Sequence, residues 1–346
     1  MDMQLSPRST VAGAFAVTTL LAFLIPTASP VNAMSLEELQ VSAKKDGKLY
    51  IYTANVDAIM KVIVPAFEKE FPYVKVSWIR LPSTTVFNRF TAENDSGVAQ
   101  ADLLWTASSQ LYQEKPGLFQ ELDSATVPNM AIPTTLKTKN SSYVISSVIT
   151  HNVTYNTDLV SQADLKAHLA TWEGLSDPRW AGHTALVDPR GSASVSSLFH
   201  LLGETYGSAW LAAVGKQVTL IDRGSSGAQQ VAAGAFQIAV PTDNSHSADI
   251  RAKGAPVATW IPGGPAHGLE NSMAIPKNSG HPAAAALFVN WALSPSGQTV
   301  LCGLDTAVAR PADAKCERVP ATHASPRDSV PDEMQAKMIK QLGLAP

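Results

Sequence analysis

Lys48-Leu-Tyr-Ile-Tyr-Thr-Ala54, Val74-Lys-Val-Ser-Trp78 and Ala101-Asp-Leu-Leu-Trp105 are the runs whose reading decides the fold. The first and third are short and mostly apolar, as strands buried on both faces are; the second alternates as a strand should. Between the first two, Ile59, Val62, Ile63, Ala66 and Phe67 recur at helical spacing despite Pro65. A second helical pattern runs from Val86 to about Glu93, and a short one follows Ser108. This βαβαβα order predicts a parallel sheet with right-handed crossovers.

Working outward toward the C-terminus, a polar stretch (124–142) gives way to a long extended run, Tyr143 to Thr150, and then a polar helix from Asp158 to Ala170. A second series sets strands Thr184–Val187, Val218–Ile221 and Phe236–Val240 around helices Ser194–Leu202 and Ala228–Ala233. Val257 to Ile261 is extended and leads through Gly263-Gly264 to Met273–Pro276. A helix from Pro282 to Leu293 comes next, and Asp332 to Leu342 reads as one more surface helix. The expected class is α/β: two doubly wound lobes joined by a two-strand hinge at 143–150 and 257–276, able to close around a ligand. Lobe 1 comprises 34–148 plus 262–346, with the C-terminal helices; lobe 2 comprises 149–261.

Toward the N-terminus, residues 1–33 read as a cleavable signal peptide. Arg8 supplies positive charge, Val11 to Ile25 is apolar and uncharged, and Val31-Asn32-Ala33 has the small-residue pattern of a cleavage site. Fifteen apolar residues rise about 22 Å as a helix, short of the ~30 Å hydrocarbon core, which argues against an anchor. The expected location is the periplasm. There Cys302 and Cys316, the two cysteines of the chain, are expected to form a structural disulfide; a loop of that size contributes about 3 kcal/mol in the chain-entropy model.

With 26 basic and 29 acidic side chains the formal charge is −3, which offers no cationic excess for nucleic acid. A monomer binding a small molecule, without cofactor or metal, is expected. Each strand-to-helix junction carries small hydroxyl residues, free backbone N–H groups and the positive end of a helix dipole. The candidate ligand-binding residues are Thr53 and Ala54 after the first strand, Ser83 and Thr84 after the second, and Trp105 and Thr106 at the third. In the second lobe they are Arg190, Gly191, Ser192, Ala193, Arg223, Asp243 and Asn244. Any one junction can be a plain N-cap. Arg190 and Arg223 can fork onto a carboxylate or phosphate, or instead form surface ion pairs, as Arg223 would near Asp222. Trp105 can stack on a ligand or pack as a lobe-face residue. Phosphate-loop, dinucleotide, zinc-protease and nucleophile-elbow motifs are absent from the sequence, and Gly224-Ser-Ser-Gly227 falls one residue short of the last. His246 and His267 fall in candidate cleft loops without a fixed partner.

Lys48-Leu-Tyr-Ile-Tyr-Thr-Ala54, Ala66-Phe-Glu-Lys-Glu-Phe-Pro72 and Val74-Lys-Val76 resemble the opening of group 1 extracellular solute-binding proteins, the receptors of ATP-driven importers. Arg89 with Glu93, Ala101-Asp102, Tyr155-Asn-Thr157, Trp172 to Trp180 and Asp188-Pro189 come in the same order. The resemblance, over roughly 43–300, implies the type II periplasmic binding-protein fold, a membrane permease as partner, and no enzyme activity. The branch it looks most like holds ferric-ion, thiamine and phosphonate or sugar-phosphate receptors. Ferric members bind metal through adjacent tyrosines in the loop matching Pro241-Thr-Asp-Asn-Ser-His-Ser247, which has none. Phosphate- and phosphonate-type members use hydroxyls and helix N-termini, which this sequence has in abundance, so the resemblance implies a small organic anion of phosphonate or sugar-phosphate type. The alternatives are a ferric-ion receptor using Asp243 and His246, a thiamine receptor, and an exported enzyme on the same fold.

Overall fold

Eleven strands in two sheets carry the chain in the computed structural model, which describes residues 1–3, 34–304, 306–313, 315–326 and 330–345. The chain divides into two units, Met1–Asn32 and Ala33–Pro346, and both sheets belong to the second. The expected signal peptide lies almost wholly outside the described residues.

The first sheet is built from β1 Lys48–Thr53, β2 Lys75–Arg80, β3 Leu103–Thr106, β4 Val144–Thr150, β10 Gly268–Ala274 and β11 Ala307–Val308. Its strand order is β11-β4-β10-β3-β1-β2. The second is built from β5 Asn152–Asn156, β6 Thr184–Val187, β7 Val218–Ile221, β8 Ile238–Thr242 and β9 Val257–Trp260, in the order β7-β6-β8-β5-β9. Each lobe has a parallel trio: β2-β1-β3 in the first and β7-β6-β8 in the second. The remaining strands pair antiparallel, so the sheets are mixed rather than wholly parallel. The reason is the hinge: β4 runs into β5 through His151, and β9 returns to β10 through 261–267. The expected lobe boundary after 148 falls inside β4.

Local chemistry sets the helices. Ser35 and Glu38 form a capping box at the start of Leu36–Asp46, satisfying two N–H groups reciprocally. Gly47 then takes the left-handed conformation that ends the helix. Asp57–Glu70 keeps its helical course through Pro65 because Met60, Ile63, Val64 and Phe67 bury one face in the lobe core. The segment read as a helix from Asp158 to Ala170 is helical only over Gln162–His168, where Ser161 caps it with a second capping box.

The C-terminal helix, Asp332–Gln341, corrects the expected division. Expected on the surface of lobe 1, it packs instead on Ala193–Tyr206 and Ser208–Gly215 of lobe 2. Met338, Ile339 and Leu342 are buried in the core that also holds Trp172, Trp180 and Phe199. Burying each such side chain stabilises by about 1.5–3 kcal/mol. Gly215 makes room for it, since a Cβ there would overlap the Leu342 carbonyl. The chain thus crosses between lobes a third time, beside the second crossing, where Ala324 N donates to Ala266 O at 2.8 Å.

Candidate functional site

The register of β1 on β3 places Thr53 opposite Trp105, so both strands end at one level, where the lobes face each other. A cavity of about 240 Å³ lies there. Its wall is apolar: Ile59, Ile63, Trp105, Ile149, Leu301 and Leu304. Asn55, Asn271 and Thr306 add polar groups from lobe 1, and Ser245 is the contribution of lobe 2. Among the described residues the lining contains no Lys, Arg, His, Asp or Glu.

Of the residues expected at the site, Ala54 and Trp105 line this cavity. Trp105 is packed in the lobe: its ring lies edge-on to Phe288, centroids 5.8 Å apart, and only its margin borders the cavity. Thr53 lies beneath, its hydroxyl donating to Trp105 O and accepting from Asn55 N. Thr106 is likewise spent on the backbone of its own loop, donating to Ser108 O at 2.6 Å, and it sits 3.0 Å from the Tyr112 hydroxyl. Ser83 accepts from Ala107 N, and with Thr84 it lines a separate groove beside Phe87 and Ser108.

The arginines are held elsewhere. Arg190 forks onto Asp188 at 2.6–3.1 Å and donates its third nitrogen to Ala345 O at 2.8 Å. That guanidinium holds the Asp188 carboxyl below its usual range. Arg223 pairs with Asp222 at 2.8 Å on the surface. Gly191 and Ala193 are exposed, and Ser192 caps the helix behind them by accepting from Val195 N. The plain-cap and ion-pair readings describe this loop. Asp243 caps Asn244–Ala252 through His246 N and accepts from Ser245 Oγ. Asn244 accepts from Asn152 and reaches across the cleft to Glu317 of lobe 1 at 3.4 Å.

Two features of the cleft depend on tertiary placement. The apolar wall carries no local signal, because Leu301 and Leu304 look like ordinary helix-end residues. The hinge holds a pair of histidines, His151 on the first crossing and His267 on the second. Their Nε2 atoms contact Ser194 Oγ at 2.7 Å and Ser197 Oγ at 3.0 Å, on one helix of lobe 2. Burial pushes His151 down to about 4, against the pull of Asp243, and pushes His267 down as well, helped by His151 and His323. Both occupy crossings visible in the sequence, but their pairing is tertiary.

Cys302 and Cys316 are joined in a disulfide, Cα atoms 5.5 Å apart. It closes the loop that brings Leu304 and Thr306 to the cavity, and Glu317 comes directly after it. Among the described residues no group of three or more His, Cys, Asp or Glu side chains is arranged to hold a metal ion. Among the same residues, no helix is long and apolar enough to cross a membrane.

The sequence profile of one family, described as bacterial extracellular solute-binding protein, matches residues 63–327. No curated protein matches the chain. Among solved structures it is similar to iron-bound HitA from Pseudomonas aeruginosa, at 18% identity and a TM-score of 0.63 over 86% of this chain and 98% of that one. The substrate-binding protein of an ABC transporter from Agrobacterium tumefaciens superposes at 0.63, with 16% identity over 86% and 93%. AfuA from Actinobacillus pleuropneumoniae, with fructose-6-phosphate bound, superposes at 0.57, with 19% identity over 86% and 99%. These likenesses establish the type II periplasmic binding-protein fold.

Proposed function

The chain belongs to the bacterial extracellular solute-binding protein family, and from that premise we propose that it is the periplasmic receptor of an ATP-driven importer. It closes on a small solute and presents it to a membrane permease. One observation carries the reading: the cavity lies at the carboxyl ends of β1 and β3, where ligands bind in open α/β sheets, and residues of both lobes bound it. The hinge of crossing segments supports closure by rotation of one lobe against the other.

The narrower reading, a phosphonate or sugar phosphate gripped by Arg190 and Arg223, draws no support from the ion pairs that occupy both guanidinium groups. A ferric ion needs several anionic oxygen donors, and Asp243 spends its carboxylate on capping.

Protein taken from its own cell envelope should carry a small molecule detectable by native mass spectrometry. Stripping it by unfolding and refolding should enlarge the radius of gyration in X-ray scattering. Protein that is empty as isolated, with unchanged dimensions after the cycle, would overturn the receptor reading.

A further inference from the structure

Each passage of the chain between the lobes carries a histidine with a buried side chain. His151 separates β4 from β5, His267 stands directly before β10, and His323 lies on the third passage, bridged to Ala266 of the second. The rings of His151 and His267 stack on one another. Each is also tied to lobe 2, through Ser194 and Ser197 of the helix Ala193–Tyr206. His151 is the pivot itself, since Thr150 ends a strand of lobe 1 and Asn152 begins one of lobe 2. Rotation of the lobes is absorbed by backbone angles here and in 261–267, so it turns one ring against the other or against its serine.

The surroundings supply little to hold a charge on the pair. Asp243 and His246 stand at the start of the helix Asn244–Ala252 on the His151 side, and the Asp243 carboxylate accepts from Ser245 Oγ and His246 N. His323 faces His267 from the third passage, its Nε2 2.9 Å from Glu270 Oε1. The helix bearing the serines contributes hydroxyls, and its His200 pairs with Glu204 at 3.2 Å. His267, between the other two, has no carboxylate partner among the described residues, and its Nδ1 is buried and unpaired.

Two imidazolium rings in a stack repel, and burial disfavours the charged form of both rings while the lobes are together. Parting the lobes frees the rings to take up water and protons. The open form then binds more protons than the closed one, and acid draws the protein toward it.

We propose that this hinge is a proton-operated catch: neutral rings hold the lobes together around the solute, and protonation of the His151–His267 pair parts them, so that acid releases the cargo. The proposal rests on the receptor reading and adds its release step.

X-ray scattering from the full-length exported protein as isolated, stepped from about pH 7.5 to about pH 4.5, tests it. The radius of gyration should rise reversibly as pH falls, while near-ultraviolet circular dichroism is retained. Each proton gained on opening shifts the open-to-closed ratio by up to about tenfold per pH unit. His151→Phe with His267→Phe keeps two aromatic rings and removes both charges, and its dimensions should stay constant over the same range. In the wild type, the ring C–H resonances of the two histidines, assigned by their loss in the single variants, should titrate where the dimensions change. Four outcomes each overturn the catch: constant wild-type dimensions, expansion that comes only with loss of the dichroism, expansion that survives in the double variant, and rings that stay neutral while the lobes part. Should the double variant not fold, the ring titration decides alone. The receptor reading fails by a different sign, envelope-derived protein that carries no small molecule at neutral pH.

Discussion

The imidazole rings of His151 and His267 lie face to face, centroids 5.3 Å apart and planes within 9° of parallel. One stands on each crossing between the lobes, and His151 N donates to His267 O at 2.8 Å. Two cations in that arrangement would repel, so the stack is built for neutral rings.

Its first consequence is a pH dependence. A histidine ordinarily titrates near 6.5, and burial holds His151 at about 4 in the fold, so between those values the unfolded chain binds more protons. Stability is therefore full above pH 6.5 and is lost as pH falls toward 4. The loss is at most about 3 kcal/mol for His151, with His267 adding in the same direction. The titratable neighbours are Asp243 and His246 on the His151 side, and His323, itself 2.9 Å from Glu270, on the other. Urea midpoints across this window should fall in the wild type and fall less in His151→Phe. Equal slopes in the two proteins would count against the assignment.

Arg190 and Gly215 act on the C-terminal helix. Gly215→Ala should displace the Leu342 carbonyl and uncover Met338 and Ile339, lowering stability by about 2–4 kcal/mol. Arg190→Ala should cost less, since the ion pair it removes is exposed to solvent. Both should speed hydrogen exchange in Asp332–Gln341. Unchanged exchange there would show that neither contact seats the helix.

Arg310 is a guanidinium buried to 4% exposure, with Nε and Nη1 unpaired among the described residues, and burial lowers its pKa to about 10. Its backbone N–H donates to Gln298 Oε1, a bond any residue there except proline would keep. Arg310→Met preserves the packing and removes the buried charge, and should raise stability by about 1–3 kcal/mol in denaturant titration. A loss of that size instead would mean that the charge has a role in the fold.

The disulfide should leave no thiol free to label in the denatured, unreduced protein. Cys302→Ser with Cys316→Ser should lower stability by about 3 kcal/mol, the chain-entropy value for a loop of this length. It should also raise exchange around Leu304 and Thr306. A variant as stable as the wild type would mean that the loop is ordered by its other contacts alone.

The strands were legible because β1, β3 and β6 are short apolar runs that suit only a sheet covered on both faces. The level of the cleft was legible too, since Ala54 and Trp105 stand at strand ends. The arginines mislead because each has a local competitor: Asp188 sits two residues before Arg190, and Asp222 directly before Arg223. Neighbours so close in sequence capture a guanidinium before a distant cleft can. Ile149 and Leu301 become wall residues through tertiary placement, and an apolar residue at the edge of a cavity reads the same in sequence as one in the core. The lobe to which Met338, Ile339 and Leu342 belong is hidden for the same reason. An apolar stripe announces that a helix is covered, without saying by what.

The third passage of the chain has a mechanical consequence. A joint with one tie can swivel freely, and a second tie alongside removes the twist. The segment around Ala324, bonded to Ala266, lies beside the second tie and ends in a helix anchored on the far lobe. Torsion and sideways slip then stretch at least one tie, while bending about the line of the ties stretches none. For the receptor proposed above, that leaves the two halves one soft direction of travel, as leaves on a pinned door.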